Sequence, residues 1–206
     1  LLQEPVEVMG ASRTDSGVHA MGNVAVFDTE SRIPAEKFAI ALNRYLPEDI
    51  GVYSCRNVSP RFHARLNVKE KTYCYRLWNS EAPCVFDRRY VAVMPEKLDL
   101  EAMWAAADYL CGEHDFSAFC GNARMKKSTV RYIRSIEILP ADEELRIRFT
   151  GNGFLHNMVR ILVGTLIEVG RGVRQPDSIP ALFGGKRADA GFLAPAQGLC
   201  LMEVFY

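Results

Sequence analysis

The stretch VRYIRSIEILPADEELRIRFTG, residues 130–151, decides the fold of this chain. Its first part, VRYIRSIEIL, and its last, ELRIRFTG, read as strands, and PADE between them has the composition of a turn. In the second strand Leu145, Ile147 and Phe149 point one way while Arg146 and Arg148 point the other. That period of two is what a half-buried strand requires. Two strands joined by so short a turn run antiparallel, in a sheet with one apolar and one polar face.

The alternation recurs outward from this hairpin. In KTYCYRLWN, residues 71–79, Tyr73, Tyr75 and Leu77 share one face, and Thr72, Cys74 and Arg76 the other. GLCLMEVFY closes the chain as a strand, and NVAVFDTE (23–30) and IGVYSCRNV (50–58) are predicted strands near its start. Helices are predicted from Pro34 to Leu46, from the N-cap Asp99 to Cys111 with Gly112 as its stop, and over 155–169, with a short one after Pro176. Runs of strands broken by helices give an α+β fold with a mainly antiparallel sheet. No G-x-G-x-x-G or Walker-type loop follows a strand, which disfavours a doubly wound nucleotide fold.

At 206 residues, 49% hydrophobic and 24% charged, the composition is that of an ordinary folded protein. The length suits one substantial domain or two small packed ones, and the absence of linkers favours one body. No apolar run approaches the roughly 20 residues that cross a bilayer. The opening LLQEPVEV enters a pattern midway, so a preceding N-terminal segment is expected. Cysteines 55, 74, 84, 111, 120 and 200 form no C-x-x-C pair and the four histidines are isolated, so no metal site is expected and the thiols are read as free in a reducing cytoplasm. The 25 basic and 25 acidic residues cancel, yet the cations cluster. Arg61, Arg65, Lys69 and Lys71 lie close together with one acid, Glu70; Arg124, Lys126, Lys127, Arg131 and Arg134 lie together with none. Such runs are either solvated faces or surfaces for phosphates.

Three residues carry the chemistry. The predicted helix 155–169 is apolar almost all round, with Arg160 in its middle and His156 and Gly164 one turn either side. A buried guanidinium without a partner costs several kcal/mol, so Arg160 should face a carboxylate or a wet cleft; the plain alternative is an arginine reaching past the rim. Asp15, in SRTDSGVHA (12–20), is the best acid available, though Asp-Ser-Gly is also common turn chemistry. A pair with Arg160 would keep that carboxylate ionised, suiting a nucleophile or a base. The tripeptide also occurs in aspartic proteases, but those need two carboxylates sharing a proton, and an adjacent arginine defeats the sharing. Tyr73 is either core packing or, beside Lys71 and Arg76, a ring on which a base stacks.

Together, SRTDSGVHA, FHAR followed by KTYCYRLWN, GNGFLHNMVRILVGTLIEVGRG and LAPAQGLCLMEVFY resemble the TruA-type tRNA pseudouridine synthase family, in that family's motif order and over nearly the whole chain. Ser16 stands where alanine is usual, a small-for-small change. The resemblance implies a pseudouridine synthase fold: a mainly antiparallel mixed sheet flanked by helices, in two similar ferredoxin-like halves, here about 1–60 and 61–206 of one catalytic unit. It implies isomerisation of uridines in the tRNA anticodon stem-loop by a cytoplasmic homodimer, with no cofactor and no metal. Residue by residue, Asp15 matches the catalytic aspartate, Arg160 its arginine partner, and Tyr73 the ring that stacks on the uracil and assists proton removal at C5. Arg13 matches the arginine that helps displace the target nucleotide, and Leu199 an apolar residue beside the base. Arg65 and Lys71, from the first basic cluster, are expected to hold RNA phosphates. A synthase acting on another RNA site, and a catalytically silent RNA-binding relative, share these features.

Overall fold

In the computed structural model, which describes residues 1–2, 4–122 and 124–206, the hairpin of residues 130–151 forms as the alternation requires. In chain order the strands are β1 (Met9–Gly10), β2 (His19–Ala20), β3 (Ala25–Val26), β4 (Glu70–Trp78), β5 (Ala92–Val93), β6 (Gly112–Asp115), β7 (Val130–Ala141), β8 (Glu144–Gly151) and β9 (Leu199–Phe205). The helices are α1 (Ala35–Leu42), α2 (Leu100–Leu110) and α3 (Met158–Gly170). The turn between β7 and β8 shrinks to Asp142 and Glu143, with Asp142 at φ 51°, a backbone that aspartate tolerates better than most residues.

The chain divides into two compact units, one of Leu1–Ser12 with Val24–Asn67, the other of Arg13–Asn23 with Val68–Tyr206. In the first, β1 and β3 pair antiparallel, Met9 opposite Val26, in a ladder of their own. Helix α1 follows Pro34 and buries Phe38, whose ring meets Phe27 edge-on at 5.7 Å. It stops four residues short of the predicted end. The strand predicted at 50–58 is not formed: Val52 has both its N–H and its C=O bonded by the Asn43 side chain, each at 2.8 Å, in place of a ladder. β-Propensity without a partner strand does not make a sheet.

The second unit holds a sheet ordered β2-β9-β4-β8-β7-β6, with β5 beside β4. Its long pairs are antiparallel, and β2–β9 and β4–β5 are parallel. The fold is thus mixed α+β with a mostly antiparallel sheet and flanking helices. One face is apolar: Tyr75, Leu77, Leu145, Ile147 and Phe149 are buried with Met103 and Leu110 of α2 and Ile161, Leu162 and Leu166 of α3. Helix α2 starts where Asp99 accepts the Ala102 N–H at 3.1 Å, and it ends before Gly112, whose φ of 105° few side chains adopt. The opposite face is polar. Arg76 and Arg146 lie directly across from one another and are reconciled by Glu144, which accepts from Arg76 Nε and Nη2 at 2.8 Å each and from Arg146 Nε at 2.6 Å. Those bonds, Arg76 first, hold the Glu144 carboxyl down at about 2.

Candidate active site

Asp15 lies on a tight turn closed by the Val18 N–H donating to the Asp15 carbonyl at 3.0 Å. Gly17 takes φ +81° in that turn, which glycine adopts without strain, and it approaches Ala196 so closely that a Cβ there would be 3.2 Å from the alanine methyl. The turn leads into β2, which adds to β9 in parallel, His19 opposite Cys200 and Ala20 opposite Leu201. On its other side β9 pairs with β4, placing Leu201 opposite Tyr73 and Leu199 opposite Tyr75. Two ladder registers therefore bring together three segments far apart in sequence, those of Asp15, Tyr73 and Leu199.

Helix α3 supplies the cation. Asn157, held at φ 59°, precedes its first turn, and almost every residue in it is buried; Arg160 is half-buried. The guanidinium donates through Nε to the Ala194 carbonyl at 2.7 Å and through Nη1 to Asn157 Oδ1 at 3.1 Å, while the Ala194 N–H returns a bond to the Arg160 carbonyl at 3.2 Å. The segment of residues 190–195 reaches α3 because of two glycines. A Cβ on Gly164 would strike the Phe192 carbonyl, and one on Gly191 the Thr165 backbone. Thr165 Oγ1 accepts the Gly191 N–H at 3.0 Å and donates to the Ile161 carbonyl at 2.9 Å.

The expected Asp15–Arg160 ion pair is absent among the described residues; two of the arginine's N–H groups serve Ala194 and Asn157 instead. The cationic-type partner of Asp15 is His156, with Nε2 3.6 Å from Oδ1 and both side chains partly exposed. The cost of burying Arg160 is met by a peptide carbonyl, one of the strong acceptors that every segment carries and no residue type advertises.

Tyr73 is buried, 8% exposed, and its ring meets Phe154 edge-on at 5.2 Å and 84°. Tyr75, fully buried, donates from its hydroxyl to the Pro195 carbonyl at 2.9 Å. Burial pushes that phenol well above its usual range, with Arg160 pulling weakly the other way. Leu199 is buried and Lys71 half-buried on β4; Arg13 is exposed at the head of the Asp15 turn. Arg65 is exposed in the other unit. Sequence reasoning gave no role to Phe154 or His156, although HNMVR already places the histidine one turn from Arg160. Among the described residues no group of three or more His, Cys, Asp or Glu could hold a metal ion. Among the described residues no helix is long and apolar enough to cross a membrane.

A mostly antiparallel sheet thus presents the Asp15 carboxylate on a glycine turn, with a tyrosine strand and an arginine-bearing helix in the same unit. The chain belongs to the tRNA pseudouridine synthase family, whose model it matches over residues 2–67 and 106–206. It is 46% identical to tRNA pseudouridine synthase A of Acetivibrio thermocellus, across 100% of this chain and 85% of that protein. It is 45% identical to tRNA pseudouridine synthase A 2 of Clostridium perfringens, across 99% and 84%. The identity to tRNA pseudouridine synthase A of Bacillus pumilus is 45%, across 98% and 83%.

Proposed function

We propose that this chain isomerises uridine to pseudouridine in tRNA, acting on the anticodon stem-loop as a cytoplasmic homodimer. The observation that carries the reading is the β2–β9–β4 register, which sets the Asp15 turn beside the strand of Leu199 and one strand away from that of Tyr73, in a chain alike along its whole length to tRNA pseudouridine synthases. The reaction breaks the N1–C1′ bond, turns the freed uracil and forms a C5–C1′ bond, with the C5 proton lost and N1 protonated. Atoms and electrons balance within the nucleotide, so no redox partner or acceptor takes part.

Asp15 acts on the target nucleotide, at the ribose or at the base, and its turn holds the carboxylate forward. Leaving the stem costs the uridine a few kcal/mol of stacking, which the Tyr73 ring partly restores once Phe154 yields its edge. Arg160 gives the carboxylate's surroundings positive charge, Arg13 assists extrusion, Leu199 backs the base, and Lys71 and Arg65 take phosphates. Asp15→Asn, incubated with unmodified tRNA transcript, should lower the single-turnover rate by about 1,000-fold or more while tRNA affinity stays near that of the wild type. Pseudouridine formed by the variant at the wild-type rate would remove Asp15 from the mechanism. Mapping the product positions tests the anticodon assignment, and sedimentation of the free protein tests the dimer.

A further inference from the structure

We propose that His156 is a positioning residue for Asp15, holding Oδ1 through an Nε2–H donor so that the carboxylate meets the target nucleotide in one orientation. The inference rests on the reading of Asp15 as the catalytic acid. Three features of the structure converge on it. First, His156 Nε2 faces Asp15 Oδ1 at 3.6 Å, just beyond hydrogen-bond length, a separation that closes readily when a substrate packs the site.

Second, the His156 backbone is fixed beside Gly121. The His156 carbonyl accepts the Gly121 N–H at 2.8 Å, and a Cβ on Gly121 would sit 3.0 Å from His156 Nδ1. Glycine at 121 therefore leaves room for the ring, with Nδ1 on the side of Gly121 and Nε2 on that of Asp15. The next residue, Asn157, takes φ 59°, which turns the chain sharply between the histidine and α3. Third, two of the Arg160 N–H groups serve Ala194 and Asn157, and the basic side chain within ion-pair distance of Asp15 is the histidine. The proton is assigned to Nε2 because a carboxylate oxygen accepts only from a protonated nitrogen.

The test compares His156→Ala, His156→Gln and His156→Asn in the full chain. A glutamine amide nitrogen falls near the place of Nε2, an asparagine nitrogen near that of Nδ1. In single turnover on unmodified tRNA, Ala and Asn should be roughly tenfold or more slower, with the tRNA dissociation constant changed less than about twofold, and Gln should keep most of the rate. A merely structural role would not separate Gln from Asn. An Ala variant at the wild-type rate, a Gln variant as slow as Ala, or a loss confined to tRNA binding would each overturn the proposal. Long-range proton–nitrogen spectra of the histidine rings read the contact without turnover. The wild type should show the Nε2-protonated tautomer at His156 and Asp15→Asn should lose it; identical spectra overturn the proposal. A wild type that makes no pseudouridine but shows this tautomer change would instead refute the assigned reaction.

Discussion

The guanidinium of Arg160 is half-buried on an apolar helix, and it is satisfied there by the Ala194 carbonyl and the Asn157 side-chain oxygen. Lysine at this position lacks the planar fork that reaches a carbonyl and an amide at once. Arg160→Lys should therefore cost about 1–2 kcal/mol of stability, read as a lower urea midpoint, and should slow turnover as well. Sequence periodicity was enough to show that Arg160 needed a partner. It could not reveal which one, because the acceptor is the backbone oxygen of an alanine, and alanine carries no polar signature. Asp15 shows the converse. Its turn was legible from Gly17, whereas its neighbour His156 was not, since that meeting depends on how α3 is aimed rather than on local pattern. Tyr73 was legible as an inward strand residue, but its ring edge against Phe154 was not.

Helix α3 and the strap of residues 190–195 work as one element, held at a distance only two glycines permit. Gly164→Ala drives a methyl into the Phe192 carbonyl, so the strap must lift and take the Ala194 acceptor away from Arg160. The expected loss is about 2–3 kcal/mol by chemical denaturation, accompanied by reduced turnover. On the polar face of the sheet, Glu144 gives the elements a pH response. Its folded pKa of about 2 lies below that of an unfolded glutamate, so its stabilisation is complete above about pH 5 and is lost as pH falls toward 2. The wild type should lose on the order of 2 kcal/mol across that window through this group; Glu144→Gln should be less stable at pH 7 and show a flatter decline. Strands β4, β7, β8 and β9 were legible because alternation and partner coincide there. The strand expected at 50–58 was not formed, because its propensity had no ladder to join and Asn43 supplied the bonds instead.

At the scale of the molecule, the order of motifs was legible and the order of strands was not. Nothing local in residues 13–23 says that β2 will lie beside β9, which is nearly the whole chain away, yet that one parallel register puts Asp15 next to the strand of Leu199 and two places from Tyr73. Charge behaves similarly. A net charge of zero argues against general attraction to RNA, so affinity for tRNA has to come from local cations. The exposed run Arg124, Lys126 and Lys127 begins three residues after Gly121, which braces His156 beside Asp15, so phosphates held by that run would lie close to the reacting nucleotide. Binding measured from low to moderate salt should then weaken steeply, as counterions released from the RNA are no longer gained. Replacing Lys126 and Lys127 together by alanine should reduce the slope of log affinity against log salt by about two and leave turnover at saturating tRNA nearly unchanged. A slope identical to that of the wild type would show that the phosphates are held elsewhere.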